Sequence, residues 1–563
     1  MTSLAGKFAS GIARLTNLAK RDDDPLTNLK SASRWLDNLP VGDAFKSHRA
    51  ILDEIKRFNE NSSDLSKDRL AVLKLLDEKS RDLQDTLVRQ YLRNPRMSRP
   101  MESKLWHTVY SLYWEIARGY HSFVLDFARS AGKRPHEHDI PLVTLRAIRV
   151  FGNLLKWRAM RYLSTGEKIW LRLHNLYRIA EIEGFHRTAQ AGYAEESPCS
   201  CETAYLHVMM LQLANSGTLY PRQIDLIDRW LCQWHEHLSL ETRCDIDRHA
   251  FAVDLSADHG PRRTRKCTDD KPVRYWGTTE LLEKLSGLQR ALGDGTAPAS
   301  LGLTEDTRTS ESLDILNHLQ HHWSPLTTRE QRRASRESVK RLLDVAQGFP
   351  AIVGQIKAAF APSPGASPYG TGINFSEADD VSIYGFVTER TRERSSQMQT
   401  HGTRTSPDVE RWVMQDESAC GYGAIVESRD RDWLRVGTLL GLKSHDAAGW
   451  QLGVIRRLSR LNDDTSSIGI ETLPETPSLV MLYETTSTAN YTVNGIDNSG
   501  ANLPHAALWL EGDSLSVILD PVHYAPGKIL RFNSAGTFRF IALRYPVERS
   551  EGWIRVAAEP VQG

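Results

Sequence analysis

The chain has 563 residues, with 71 basic against 70 acidic side chains, a net charge of +1, 40% hydrophobic and 25% charged residues. This is ordinary composition for a globular chain of three or four domains, and it excludes a chain-wide electrostatic attraction to a nucleic acid polymer. No run of about 18 apolar residues occurs, so no membrane-crossing helix is expected. The six irregularly spaced cysteines argue for a reducing, cytoplasmic setting rather than a disulfide scaffold.

Residues 1–29 form an amphipathic segment, with Leu4, Phe8, Ile12, Leu15 and Leu18 on one helical stripe. It lacks the continuous apolar core and cleavage site of a secretory signal. A helix of this kind can lie on a membrane surface, but docking on its own domain or on a partner is the commoner outcome. Residues 30–360 read as an all-α domain. In "DRLAVLKLLDEKSRDLQDTLVRQYL" the leucines recur at three and four, as one face of a helix requires, and several further segments repeat the pattern. "HAFAVDL" is a candidate short strand, and "HGPRRTRKCTDDKPVR" a basic loop. "LTTREQRRASRESVKRLLDVAQGFPAIVGQIKAAF" reads as a long helical stretch opened by a Thr327–Glu330 capping box and broken near Pro350.

At 361–372 the composition turns to Pro, Gly and Ser, which marks a linker. Beyond it the apolar period becomes two. Leu434, Val436, Thr438, Leu440 and Leu442 share one parity, as do Leu479, Met481 and Tyr483. Short strands separated by turn residues predict an antiparallel barrel over 373–483 and a further β domain, a possible second barrel, over 484–563. The expected fold class is therefore α + β: a large helical domain followed by β modules.

Two arrangements of polar residues stand out in the β region, each present twice. Arg390 and Arg394 are spaced R-x-x-x-R and are followed by Asp416, Ser418 and Gly421 as D-x-S-x-x-G. Arg456 and Arg460 are followed in the same way by Asp464, Ser466 and Gly469. Arginines fork onto phosphate oxygens or guanine O6 and N7 and stack on purines. Aspartate and serine at a turn add hydrogen-bonding partners for a base, and glycine permits positive φ and close approach. Such a set suits a compact, dianionic, guanine-bearing ligand.

In order, "RTRER", "DESACGYGAIVE", "LRVGTLLGL", "WQLGVIRRLSR" and "SIGIETL" make residues 384–483 resemble the PilZ family of cyclic di-GMP receptors. Spacing separates the two copies. Twenty-one residues lie between Arg394 and Asp416, room for a loop and a strand, so that an arm can face the barrel across a ligand. Only three lie between Arg460 and Asp464, about 10 Å when extended. The downstream copy therefore reads as strand, turn and strand. The resemblance implies that Arg390 and Arg394 clamp phosphate and guanine while Asp416, Ser418 and Gly421 hold the other guanine. It further implies a receptor without catalytic activity or cofactor, which relays the state of its cyclic di-GMP ligand to an unidentified protein partner through the helical domain. The alternative is a structural interaction protein whose barrel binds no ligand.

Other clusters carry less. Cys199 and Cys201 with His235 and His237 match no common zinc spacing, and H-x-H points to different faces of a helix. His318, His321 and His322 have metal-compatible helical spacing but no acidic or thiol partner in sequence, and read as a solvated helix end. No P-loop, G-x-S-x-G elbow or H-E-x-x-H motif occurs.

Overall fold

The structure is a computed structural model. It describes residues 24–360 and 409–561, apart from 41, 61–64, 95–96, 131–136, 165, 167, 215, 235–236, 269–271, 305–306, 326–336, 430, 432, 445–446, 448, 463, 485–503, 513, 535–536 and 551. Contacts divide the chain into two compact units, Met1–Thr328 and Arg329–Gly563. Most of the N-terminal amphipathic segment, the 361–372 linker, the expected Thr327–Glu330 box, His235, Arg390 and Arg394 lie outside the described residues.

The first unit is helical, as its period requires. Its long members are Lys67–Arg93, Arg99–Arg129 and Ile140–Met160. Asn28 starts the first described helix with a reciprocal cap: its side chain accepts from the Ser31 amide at 3.0 Å, and Ser31 Oγ accepts from the Asn28 amide at 3.2 Å. Proline occupies the first turn of the Arg99, Ile140 and Pro221 helices, where its missing amide costs no hydrogen bond. Trp157, Trp170, Trp230, Trp234, Trp276 and Trp323 are buried in one continuous core.

Strands β1 (Phe251–Asp254), β2 (Arg262–Arg263) and β3 (Val273–Trp276) form a small antiparallel sheet in the order β2-β1-β3. The candidate strand at "HAFAVDL" is therefore present, and the basic loop folds back beside it. Cys244 and Cys267 form a disulfide with a Cα–Cα distance of 5.4 Å. The cysteine spacing argued against a disulfide scaffold, yet one disulfide is present: the fold brings together two cysteines 23 residues apart, a proximity that spacing alone does not reveal. No described helix is long and apolar enough to cross a membrane.

The second unit contains two closed six-stranded antiparallel barrels. The first takes β4 (Glu337–Gln347), β5 (Val409–Ser418), β6 (Gly421–Glu427), β7 (Leu439–Ser444), β8 (Gln451–Arg460) and β9 (Thr465–Thr472) in the order β4-β5-β6-β9-β8-β7. The second takes β10 (Ser478–Glu484), β11 (His505–Leu510), β12 (Ser516–Leu519), β13 (Ile529–Ser534), β14 (Thr537–Arg549) and β15 (Ile554–Val561), closed as β10-β11-β12-β15-β14-β13.

β4 overturns the reading of 327–360 as one helical stretch. Leu342, Leu343 and Ala346 fit a helical face, yet the segment pairs with β5 on one side and β7 on the other. Two ladders of hydrogen bonds outweigh a local preference worth tenths of a kcal/mol per residue. The break itself falls at Gly348, whose φ of +76° disfavours other residues, while Pro350 sits in the first turn of the helix that follows, Gly348–Phe360.

That helix joins the barrels. Phe349, Ile352 and Ile356 share one buried cluster with Leu439, Trp450 and Leu452 of the first barrel and with Leu508, Ile518 and Trp553 of the second. Trp553 Nε1 also donates to Gly437 O at 2.9 Å.

Candidate ligand-binding face of the first barrel

The motif residues of the upstream copy stand where β5 turns into β6. Ser418 and Gly421 are cross-strand partners, so Ala419 and Cys420 form a two-residue turn. Ser418 Oγ donates to Gly421 O at 3.2 Å, and Thr472 N donates to Cys420 O at 3.0 Å, which ties the turn to the end of β9. Gly421 has φ +152°, and a Cβ there would lie 1.9 Å from Ile470 O. No side chain fits without moving β6 away from β9. Replacing Gly421 with alanine is expected to destabilise the barrel by about 2–3 kcal/mol, read as a lower urea midpoint of the strand signal. An unchanged midpoint contradicts this geometry.

Asp416 lies two residues before Ser418, at a register irregularity that follows Met414. Met414, Ala424, Ile468 and Leu458 are cross-strand partners in sequence around β5, β6, β9 and β8, and all four are buried. They form an inner row of the barrel. One step along, Asp416, Gly423, Gly469 and Arg457 are partners in the same way and form the alternating row, in which Gly423 and Gly469 are buried, Asp416 is half-buried and Arg457 is exposed. A Cβ on Gly423 would lie 2.5 and 2.6 Å from the two Asp416 carboxylate oxygens, so the carboxylate lies over β6 because that residue is glycine. Arg457 is exposed and forms no ion pair with any described residue.

The downstream copy is a hairpin. Arg456 and Arg460 lie on β8, Ser466 and Gly469 on β9, and Asn462 Oδ1 accepts from the Asp464 and Thr465 amides at 2.9 and 2.7 Å in the turn. Arg456 is committed elsewhere. Its Nε donates to Glu471 at 2.7 Å and its Nη2 to Glu548 of the second barrel at 3.0 Å. Burial would pull its pKa down, but hydrogen bonds and charge from Glu548, then Glu471, push it up.

Sequence reasoning did not place Gly423 and Arg457 in register with Asp416, and took Gly469 only as part of the discarded copy. The signal was present in the parity of each strand: residues that alternate with Ala424, Ile468 and Leu458 face outward. His235 of the Cys199, Cys201, His235 and His237 set lies outside the described residues, and no three His, Cys, Asp or Glu residues among those described are placed to hold a metal. His318 Nε2 lies 2.7 Å from Ala214 O, and burial, then His318 and His321, push His322 down to about 3. This corrects the reading of a solvated helix end.

Comparison with known proteins places these features in a family. Residues 30–245 match "Cyclic-di-GMP receptor FimW, N-terminal domain", and residues 373–477 match "Cyclic-di-GMP receptor FimW, middle PilZ domain". The chain belongs to the FimW family of cyclic-di-GMP receptors. The cyclic-di-GMP receptor FimW of Pseudomonas aeruginosa is 21% identical over 494 residues, which cover 82% of this chain and 80% of that protein. No solved structure matches the chain. The match to the FimW middle PilZ domain begins at 373, whereas the barrel takes its first strand from Glu337–Gln347.

Proposed function

We propose that this chain is a non-catalytic receptor that binds cyclic di-GMP between an arm carrying Arg390 and Arg394 and the outer face at Asp416, Ser418 and Gly421. The observation that carries the reading is the β5–β6 turn within a PilZ domain: Asp416, Ser418 and Gly421 stand together on the two strands that it joins, and Gly421 has a conformation and a close approach to Ile470 that admit no side chain. Two cationic forks from the arm would supply the charge that the two phosphates need. A cytoplasmic location fits a doubly charged ligand that does not cross a membrane unaided. In that compartment Cys244 and Cys267 would be exposed to thiol reductants. Ligand state would be passed on by ordering the arm against the barrel, and the helical unit would present the surface that a protein partner reads. Such a relay requires the ligand to bind the two arrangements with different affinity.

Cys420 supplies the test. It is an exposed thiol in the turn between Ser418 and Gly421. Saturating cyclic di-GMP is expected to slow its alkylation by iodoacetamide about tenfold or more, measured by mass spectrometry of its peptide, while GMP at the same concentration does not. Equal rates with and without ligand would remove the turn from the binding site.

A further inference from the structure

The helix Pro221–Leu231 carries Asp225 and Asp228, and Cys232 is its C-cap, so spacings of three and four set all three on one face. That face meets His207 of the helix Cys201–Leu213 and Lys156 of the helix Ile140–Met160. His207 Nε2 lies 2.7 Å from Asp228 Oδ1, and Cys232 Sγ lies 3.9 Å from His207 Nδ1. The other Asp228 oxygen accepts from Lys156 Nζ at 2.6 Å, which fixes the carboxylate that orients the ring. The thiol also donates to Asp228 O at 3.5 Å, one turn back. Thiol, imidazole and carboxylate thus follow one another, and the thiol is at the open end. Cys232 is exposed, and the His207 and Asp228 side chains are 19% and 21% exposed, so a small solute reaches the sulfur. Independently of what the first barrel binds, we propose that Cys232, backed by His207 and Asp228, is a site of reversible oxidation by hydroperoxides.

The order of the three groups decides the chemistry. The Asp228 carboxylate accepts from His207 Nε2, which leaves Nδ1 as the ring atom that faces the sulfur. Burial disfavours a charged ring, but the hydrogen bonds to Asp228 and Cys232 and the Asp228 charge bring the His207 pKa up to about 9. At neutral pH Nδ1 therefore carries a proton beside the sulfur. The Cys232 thiolate attacks the distal oxygen of the hydroperoxide, and the S–O bond forms as the O–O bond breaks. The sulfur gives up two electrons to the departing oxygen, and Nδ1 gives that oxygen its proton. Hydrogen peroxide thus leaves as water, Cys232 becomes a sulfenic acid, and His207 regains its proton from solvent. A small thiol then condenses with the sulfenic acid, releasing water and forming a mixed disulfide, and a second small thiol displaces Cys232 from it.

Cys420 supplies the comparison, because it is the other exposed thiol among the described residues and has no histidine partner among them. The full-length chain, without nucleotide, is treated at pH 7 with hydrogen peroxide and dimedone, which captures sulfenic acids, and each cysteine peptide is followed by mass spectrometry. Cys232 is expected to label about tenfold or more faster than Cys420, since a placed proton donor contributes at least that much. Iodide leaves without a proton, so the ratio of Cys232 to Cys420 rates with iodoacetamide is expected to be several-fold smaller than with peroxide. His207→Gln is expected to slow peroxide labelling of Cys232 about tenfold, with Cys420 at the parent rate and the circular dichroism spectrum unchanged. If His207→Gln fails to fold, the two ratios in the parent decide. Equal peroxide rates at Cys232 and Cys420, or the same ratio with both reagents, would reduce the site to an exposed thiol and overturn the proposal. A folded His207→Gln chain that labels at Cys232 as fast as the parent also overturns it.

Discussion

Replacing Arg390 and Arg394 together with alanine is expected to weaken cyclic di-GMP binding by at least a hundredfold, while Arg456→Ala with Arg460→Ala largely retains it. Charge-assisted hydrogen bonds contribute about 1.5–3 kcal/mol each, so loss of two forked arginines exceeds the factor of about ten per 1.4 kcal/mol by a wide margin. The contrast between the pairs rests on geometry. Arg456 already satisfies Glu471 and Glu548, and three residues separate Arg460 from Asp464 inside a hairpin. Arg456→Ala would instead cut a link between the two barrels, so its variant should show a lower urea midpoint with nearly normal affinity. Calorimetry on both double variants distinguishes the copies. Loss of binding in the second pair with retention in the first would mean that the downstream copy is the site.

Asp228→Asn is expected to destabilise the helical unit by about 3–5 kcal/mol, because it removes the centre of a buried charge network. Lys156 Nζ lies 2.7 Å from Asp225 and 2.6 Å from Asp228, and His207 Nε2 lies 2.7 Å from the other Asp228 oxygen. Burial would raise the Asp228 pKa, but the Lys156 charge and the His207 hydrogen bond hold it well below the ordinary carboxylate range. Burial would also lower that of His207, yet its hydrogen bonds to Asp228 and Cys232 and the Asp228 charge bring it up to about 9 from 6.5. The folded pKa of His207 thus stands above its unfolded value. Its contribution, about 3 kcal/mol, is fully present below pH 6.5 and disappears as pH rises through about 9. Asp228 acts in the opposite sense, and its contribution is lost as pH falls below 3.8. Urea unfolding followed by the helical signal should show a midpoint that drops between pH 6.5 and 9 in the parent. In Asp228→Asn the midpoint should be low and nearly flat over that range. A parent midpoint independent of pH there contradicts the network.

The fold class was legible because period carries it. Leu70, Leu73 and Leu76 recur at helical spacing, and Leu440 and Leu442 at strand spacing. β4 was not, because "RLLDVAQ" satisfies both periods and its assignment depends on β5 and β7, more than 60 and 90 residues away. The Cys244–Cys267 pair was hidden for the same reason. For the site, Asp416, Ser418 and Gly421 announced themselves as a linear motif. The register of Gly423, Gly469 and Arg457 with Asp416 did not, since what relates them is pairing across neighbouring strands. Gly469 shows the difference sharply: as the last residue of a repeated motif it looked incidental, but register puts it on the same alternating row as Asp416.

The most direct test of the receptor reading is calorimetric titration of the full-length chain with cyclic di-GMP. Saturable heat is expected at micromolar ligand, in one binding transition that depends on Arg390, Arg394 and Asp416, with no comparable response to GMP. Absence of heat at micromolar cyclic di-GMP, from protein whose helical and strand signals are intact, would contradict it and leave the barrel as a scaffold without ligand.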